Sequence, residues 1–394
     1  MKFTAKRIEL LNAAKITSKI IPVGSPIDSI KGLLFSVNAE KGIVEITGTD
    51  IRTRITKRVP ISDDTQSGAF VINPIIREML SRMAGEEVTF DNSFSGLINI
   101  SCGTTVYELP FIDAKEFPLT GMTFPQSFIT VNGLNTLIKK CSFATDKTPG
   151  DSSIKQNIRL TLHAGESISE ATDGNRMVCV KSEGISDGEL TLFLHNSAIN
   201  AISPLLSGKQ TMYVGISKQS AVFFNSDTII STMTMSGSFP DMNTFLSQIS
   251  PDYKAQVNTD IFKNALESAI CCQLSDDDSC INIVFEGNKI QLKAEAYNRK
   301  SVLSVDAICN TPTSSEGFNY NPRYILDYLN LCSDVITLTI NKKGYLLVED
   351  DTGKYMVSPR NSVSIQEPKV KEKKKTEKKE TAKKQTKITV KKAA

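Results

Sequence analysis

Apolar positions along this chain keep two rhythms, and the rhythms alternate. Apolar residues three and four apart mark RIELLNAAKITSKI near the N-terminus, VNGLNTLIKKCSF at 131–143 and TDIFKNALESAICC at 259–272. This spacing predicts amphipathic helices. Period-two runs follow each of them: GLLFSV and IVEITG, then NIRLTL, then INIVFEG and KIQLKAEA. Gly, Asn or Asp breaks these runs, which predicts antiparallel hairpins. A second helix in each stretch is announced by Asn, in Asn73-Pro74-IIREMLSRM, Asn196-Ser197-AINAISPLL and Asn321-Pro322-RYILDYLNL. Asn is a strong N-cap, and Pro at the first helical position has the right φ and needs no donor there.

These landmarks recur at domain-sized steps. Asn73 to Asn196 is 123 residues and Asn196 to Asn321 is 125. Asp50, Asp173 and Asn298, in EITGTDIRTRI, SEATDGNRMVCV and KAEAYNRKSVLSV, are separated by the same two steps, 123 and 125. Prolines 118, 240 and 359 close the pattern at steps of 122 and 119. The expectation is an α+β fold of three tandem similar domains, each read as helix, strands, helix, strands. Such units leave sheet edges open, and tandem copies can join edge to edge. A second chain completing the arc head to tail closes a ring.

Composition narrows the class. Hydrophobic residues are 40% and charged residues 23%, a globular balance, and no apolar run approaches the roughly 18 residues of a membrane span. MKFTAKRIELLNAAK has no apolar signal-like run, which argues against secretion. The 8 cysteines include no CxxC pair, so neither a disulfide framework nor a zinc site is expected, and a reducing compartment fits. Cys271 and Cys272, at a helix end, read as buried small apolar residues.

The net charge of +3 conceals an asymmetry. Residues 369–394 hold 12 Lys and 3 Glu, leaving 34 basic and 40 acidic residues before them. The tail reads as disordered, either attracting a polyanion or serving as a solubilising appendage. Against an acidic body, Lys15, Lys19, Arg77, Arg82, Lys139, Lys140, Lys263 and Arg323 fall on the polar faces of the expected helices. Together they make a basic surface suited to phosphates and not to base edges.

MKFT at the start, ATDGNRMV at 171–178, SFPDMNTFL at 238–246, GFNYNPRYILDYLN at 317–330 and KYMVSP at 354–359 give the chain its resemblance. It resembles the bacterial DNA polymerase III beta subunit, the sliding clamp family, over residues 1–366. The resemblance implies the DNA clamp fold, helices inside and antiparallel sheets outside, two chains closing a six-domain ring. The expected domains are 1–123, 124–248 and 249–367, followed by a Lys-rich tail at 368–394. A homodimer around duplex DNA without sequence preference is implied, placed by a clamp loader and tethering a replicative polymerase and other clamp-binding-motif proteins. No membrane, cofactor, metal or catalysis is implied, and the location is cytoplasmic and nucleoid-associated. The alternative is a clamp-fold scaffold that binds partners without encircling DNA.

The family's partner-peptide pocket maps onto Thr172, Gly174, Asn175, Arg176, Met177, Pro240, Phe245, Met356 and Ser358. Met177, Phe245 and Met356 supply adaptable apolar surface, Pro240 a rigid wall, Gly174 a positive φ, and Arg176 a donor to a peptide carbonyl or carboxylate. The family commonly has His where Asn175 stands and an apolar residue where Ser358 stands, so a more polar rim is implied. The ring joint maps onto Tyr107 and Leu274.

Three catalytic signatures are missing from the sequence: no GxxxxGK[ST], GxGxxG or HExxH occurs. His163 and His195 read as structural, and the acidic run at 275–279 as an exposed turn without calcium-loop spacing. Replacing Tyr107→Ala together with Leu274→Ala is expected to give monomers in sedimentation; dimers at unchanged concentration dependence count against that assignment.

Overall fold

The computed structural model describes residues 1–360 except 63–64, 93–95, 119–122, 149–153, 208–210, 236, 248–251, 274–278, 297–298 and 310–316. The Lys-rich tail and Leu274 therefore lie outside the described residues.

The elements come in three sets. The first holds β1 (Lys2–Lys6), α1 (Arg7–Thr17), β2 (Leu33–Asn38), β3 (Ile43–Thr49), β4 (Thr53–Pro60), β5 (Gly68–Ile72), α2 (Ile76–Arg82), β6 (Glu87–Asp91), β7 (Leu97–Cys102) and β8 (Thr105–Asp113). The second holds β9 (Ile129–Val131), α3 (Asn135–Ser142), β10 (Asn157–Leu162), β11 (Glu166–Thr172), β12 (Arg176–Glu183), β13 (Leu190–His195), α4 (Asn196–Ile202), β14 (Met212–Ser217), β15 (Ser220–Phe224) and β16 (Thr228–Met233). A short helix, α5 (Met242–Ser247), leads to the third. That set holds β17 (Tyr253–Asn258), α6 (Thr259–Ile270), β18 (Ile281–Glu286), β19 (Lys289–Ala296), β20 (Arg299–Asp306), β21 (Ile308–Cys309), β22 (Phe318–Tyr320), α7 (Pro322–Leu329), β23 (Val335–Ile340), β24 (Leu346–Glu349) and β25 (Gly353–Val357).

Each set is one strand–helix–three-strand motif used twice. Its leading strand does not stay at home: β1 pairs with β6, β5 with β2, β9 with β14, β13 with β10, β17 with β23 and β22 with β18. This exchange ties the two halves of each set together by backbone hydrogen bonds. The periodicity argument missed these leading strands, because they are short and run straight into the helix that follows. The alternation elsewhere is obeyed. In β3, Val44 and Ile46 are fully buried, and in β1 and β6 the cross-strand pair Phe3 and Phe90 stacks at 4.8 Å. Each such side chain contributes about 1.5–3 kcal/mol by leaving water.

Helix starts differ from expectation in two places. Asn321 caps α7 through the Arg323 amide with Pro322 behind it, as the sequence implied. At α2 the helix begins only at Ile76, and Asn73 accepts from the Ile75 amide instead. At α4 the cap is His195, whose side chain accepts from the Ser197 amide, while Asn196 donates to the Asp146 carbonyl. An imidazole acceptor one residue earlier wins because Asn196 is held elsewhere. The C-terminal end of α6 also differs. Cys271 is exposed and Cys272 half-buried, since the helix stops before that face turns inward.

Sheets run from one set into the next. β4 pairs with β16, so the first set joins the second half of the second. β12 pairs with β25, joining the second set to the second half of the third. The fourth strand of one unit thus meets the last strand of the next in both places. Gly353 stands in the second joint opposite Val180; a Cβ there would lie 2.7 Å from the Cys179 carbonyl oxygen. Gly353→Ala is expected to cost about 1–3 kcal/mol, read as a lower denaturant midpoint at unchanged slope.

Candidate functional site

The β11–β12 turn and the β12–β25 joint build one compact site. Thr172 is buried, and its hydroxyl donates to the Arg176 carbonyl (2.8 Å) while accepting from the Gly174 amide (3.1 Å). Asp173 accepts from the Asn175 and Arg176 amides at 2.9 and 3.1 Å. Gly174 sits at φ +95°, where an L side chain is strained. The Ser358 amide donates to the Asn175 carbonyl at 2.9 Å, so turn and joint are stitched together.

Register then places the apolar residues. Met177 and Met356 are direct cross-strand partners. Met356 is buried with Cys179, Leu246 and Leu347, and Met177 packs against that group and against a second one formed by Phe193, Phe239 and Met242. α5 lies across this surface, its first turn held by Asp241, which accepts from the Thr244 amide (3.0 Å) and hydroxyl (2.6 Å). Leu246 points down into the cluster, whereas Phe245 stays 41% exposed and meets Tyr345 edge-on at 6.4 Å.

Of the nine residues singled out, half-buried Met177 and exposed Phe245 supply the apolar surface, and Met356 is buried beside Met177. Gly174, Asn175, Pro240 and Ser358 lie around it, with Gly174, Asn175 and Pro240 exposed. Thr172 and Arg176 have a different task, because both spend their polar atoms inside the protein. Arg176 donates to Asp173 (2.9 Å), to Asp327 on α7 (2.6 Å) and to the Phe143 carbonyl (2.6 Å). Its guanidinium lies 4.2 Å from the Tyr324 ring centroid and 5.3 Å from that of Phe143. Burial works against its charge, but the neighbouring Tyr355, Asp327 and Asp173 outweigh burial and hold it charged. It is a staple between the turn and α7, not a free donor for a ligand. Periodicity could not bring Leu246, Phe239 and Met242 together with Tyr345 and Leu347, since each reads as ordinary core until the linker that carries the first three is seen to fold back over the β12–β25 joint.

The eight basic residues are spread over the helices, which pack in pairs, α1 on α2, α3 on α4 and α6 on α7. Lys15, Lys19, Arg82, Lys139 and Arg323 are exposed; Arg77, Lys140 and Lys263 are half-buried. Lys140 donates to the Thr352 hydroxyl (2.8 Å), a contact from α3 to the β24–β25 turn, and Arg77 donates to the Ser18 hydroxyl (3.2 Å) and pairs with Glu78. Tyr107 is half-buried against the core of the first set. His195 also meets Gln156 at 3.1 Å, and His163 accepts from the Gly165 amide and lies 3.0 Å from Glu189. The Cys179 thiol is pushed up to about 12 by burial, which disfavours the thiolate.

Residues 1–121 match the family described as DNA polymerase III beta subunit, N-terminal domain. A longer stretch aligns with a beta sliding clamp of Salmonella typhimurium, 22% identical over 382 residues, covering 91% of this chain and 99% of that one. Over these spans the chain is similar to the DNA polymerase III beta subunit family. A beta sliding clamp of Staphylococcus epidermidis is 19% identical over 341 residues, 84% of this chain and 89% of that protein. Among solved structures, the DNA polymerase III beta subunits of Pseudomonas aeruginosa (TM-score 0.83, 17% identity) and Thermotoga maritima (TM-score 0.82, 19% identity) each cover 92% of this chain and 100% of their own. The fold is the DNA clamp fold. Within it, Arg176 ties the turn that carries Gly174 to α7. Arg176→Ala is expected to lower stability by about 3 kcal/mol in denaturant titration, because Asp173 is left buried beside an empty volume; a loss within error of zero would show that the staple is dispensable.

Proposed function

We propose that this chain is a DNA sliding clamp, a processivity factor that acts as a homodimeric ring around duplex DNA. One observation carries the reading: a joint used twice is left unfinished once. β4–β16 and β12–β25 are the same edge-to-edge pairing between successive units. The corresponding third pair is β20 and β8. Among the described residues β20 pairs with β19 alone, and β8 from Thr105 to Pro110 pairs on one side only, with β7. Val302 on β20 and Val106 on β8 are 53% and 60% exposed. Two chains meeting head to tail satisfy both of these edges, once at each joint.

In this reading the domains are 1–123, 124–248 and 249–367, and Tyr107 and Leu274 belong to the joint between chains. Lys15, Lys19, Arg77, Arg82, Lys139, Lys140, Lys263 and Arg323 face the phosphates. Loose phosphate contacts suit a clamp that must slide, because holding is topological and sequence readout is unnecessary. The surface of Met177, Phe245 and Met356, with Gly174, Asn175, Pro240 and Ser358 around it, accepts a short apolar motif of a polymerase or another partner. Tethering then raises the partner's effective concentration at the primer end. A loader places the ring, no step of chemistry is performed, no cofactor is used, and the site of action is the cytoplasm at the nucleoid.

The test is retention on DNA. After loading, the protein is expected to stay on nicked circles and to run off once they are linearised, with and without residues 369–394. Equal loss from circles and lines in high salt would instead identify a scaffold held electrostatically.

A further inference from the structure

Beneath the linker lies an ion pair that the equivalent positions of the first unit lack. Arg159 and Glu170 are direct cross-strand partners on β10 and β11. Glu170 is 2% exposed, and the Arg159 Nε–H donates to its carboxylate at 2.6 Å. Burying such a pair costs several kcal/mol per ion before any gain, so its presence needs a reason beyond stability. The first unit supplies an internal control. Its equivalent of Glu170, three residues before the landmark Asp, is Thr47, which faces Leu34 across the strands. There the linker residue Phe117 packs on Leu34 by apolar contact. In the second unit the equivalent Phe239 packs instead under the Arg159 guanidinium, 5.1 Å from its ring centroid. The Met242 backbone N–H, at the start of α5, donates to Glu170.

We propose that Arg159 and Glu170 are positioning residues for the partner pocket. Arg159 fixes Phe239, and so the adjoining Pro240, by stacking; Glu170 fixes the first turn of α5 through the Met242 amide. Between them they set where Phe245 and Leu246 stand over Tyr345 and Leu347. An apolar contact such as Leu34 on Phe117 is non-directional and lets a linker slide; a charged hydrogen bond and a planar stack hold it to one place. The inference rests on the pocket being a docking site for an extended peptide with large apolar side chains.

The test transplants the first unit's pair into the full-length protein as Arg159→Leu with Glu170→Thr. A companion, Arg159→Met with Glu170→Gln, is closer in volume and keeps an acceptor for the Met242 amide. Two readouts are taken: amide hydrogen exchange over Met242–Ser247, and affinity for a labelled peptide of Gln-Leu-x-Leu-Phe type. The expected result is about tenfold faster exchange in α5 and about tenfold weaker peptide binding, at a thermal midpoint within a few degrees of the parent, with the companion intermediate in both. Unchanged exchange and affinity in either folded variant overturn the proposal, as does a uniform loss of protection across all units, which marks a purely structural pair. If the parent itself ignores the peptide, the docking reading fails while the exchange measurement still decides the positioning role.

Discussion

Open strand edges are the constraint on which this molecule is organised. Every edge strand carries unpaired N–H and C=O groups, and a chain of curved sheets has such an edge at each end. Here the edges of successive units are consumed by one another, β4 by β16 and β12 by β25. The same device operates inside each unit, where every leading strand crosses to the sheet of the other half. Neither half can separate without exposing backbone polar groups.

The two joints share a hydrogen-bond pattern but not a chemistry. Between the first and second units, Thr53 and Thr232 hydroxyls meet at 2.9 Å and Lys57 reaches Asp227 at 2.6 Å. Between the second and third, Arg176 is enclosed by Phe143, Tyr324, Asp173 and Asp327, with Tyr328 stacked on Tyr355 at 4.8 Å behind it. The equivalent backbone bonds, Met233 amide to Arg52 carbonyl and Ser358 amide to Asn175 carbonyl, are both 2.9 Å. Equal scaffolds thus carry unequal side chains. Of the two joints, the second alone combines a glycine turn, a charged staple and a linker helix laid over methionines.

How much of this was legible beforehand depends on the range of the interaction. Val44, Ile46 and Phe35 alternate with polar neighbours, and alternation is local, so β2 and β3 were readable. The leading strands were not. GAFVI and KFTAK are too short to show a period, and their partners lie in the other half of the unit. Met177, Phe245 and Met356 came from resemblance of short segments; Met177 and Met356 are cross-strand partners, and Phe245 meets Tyr345 of the same cluster. Arg176 looked like a ligand donor because Asp327, its partner, is 151 residues away and nothing local announces the pairing.

The sequence alone determined the threefold recurrence, the α+β class and the acidic body with a basic tail, because repeat spacing, periodicity and charge are properties of residues in order. Only the tertiary structure decided which strands change sheets, which edges are spent, and that an arginine expected to face a partner is instead locked between two units. Those outcomes depend on desolvation and backbone pairing between distant segments. Such energies do not exist until the chain has closed on itself.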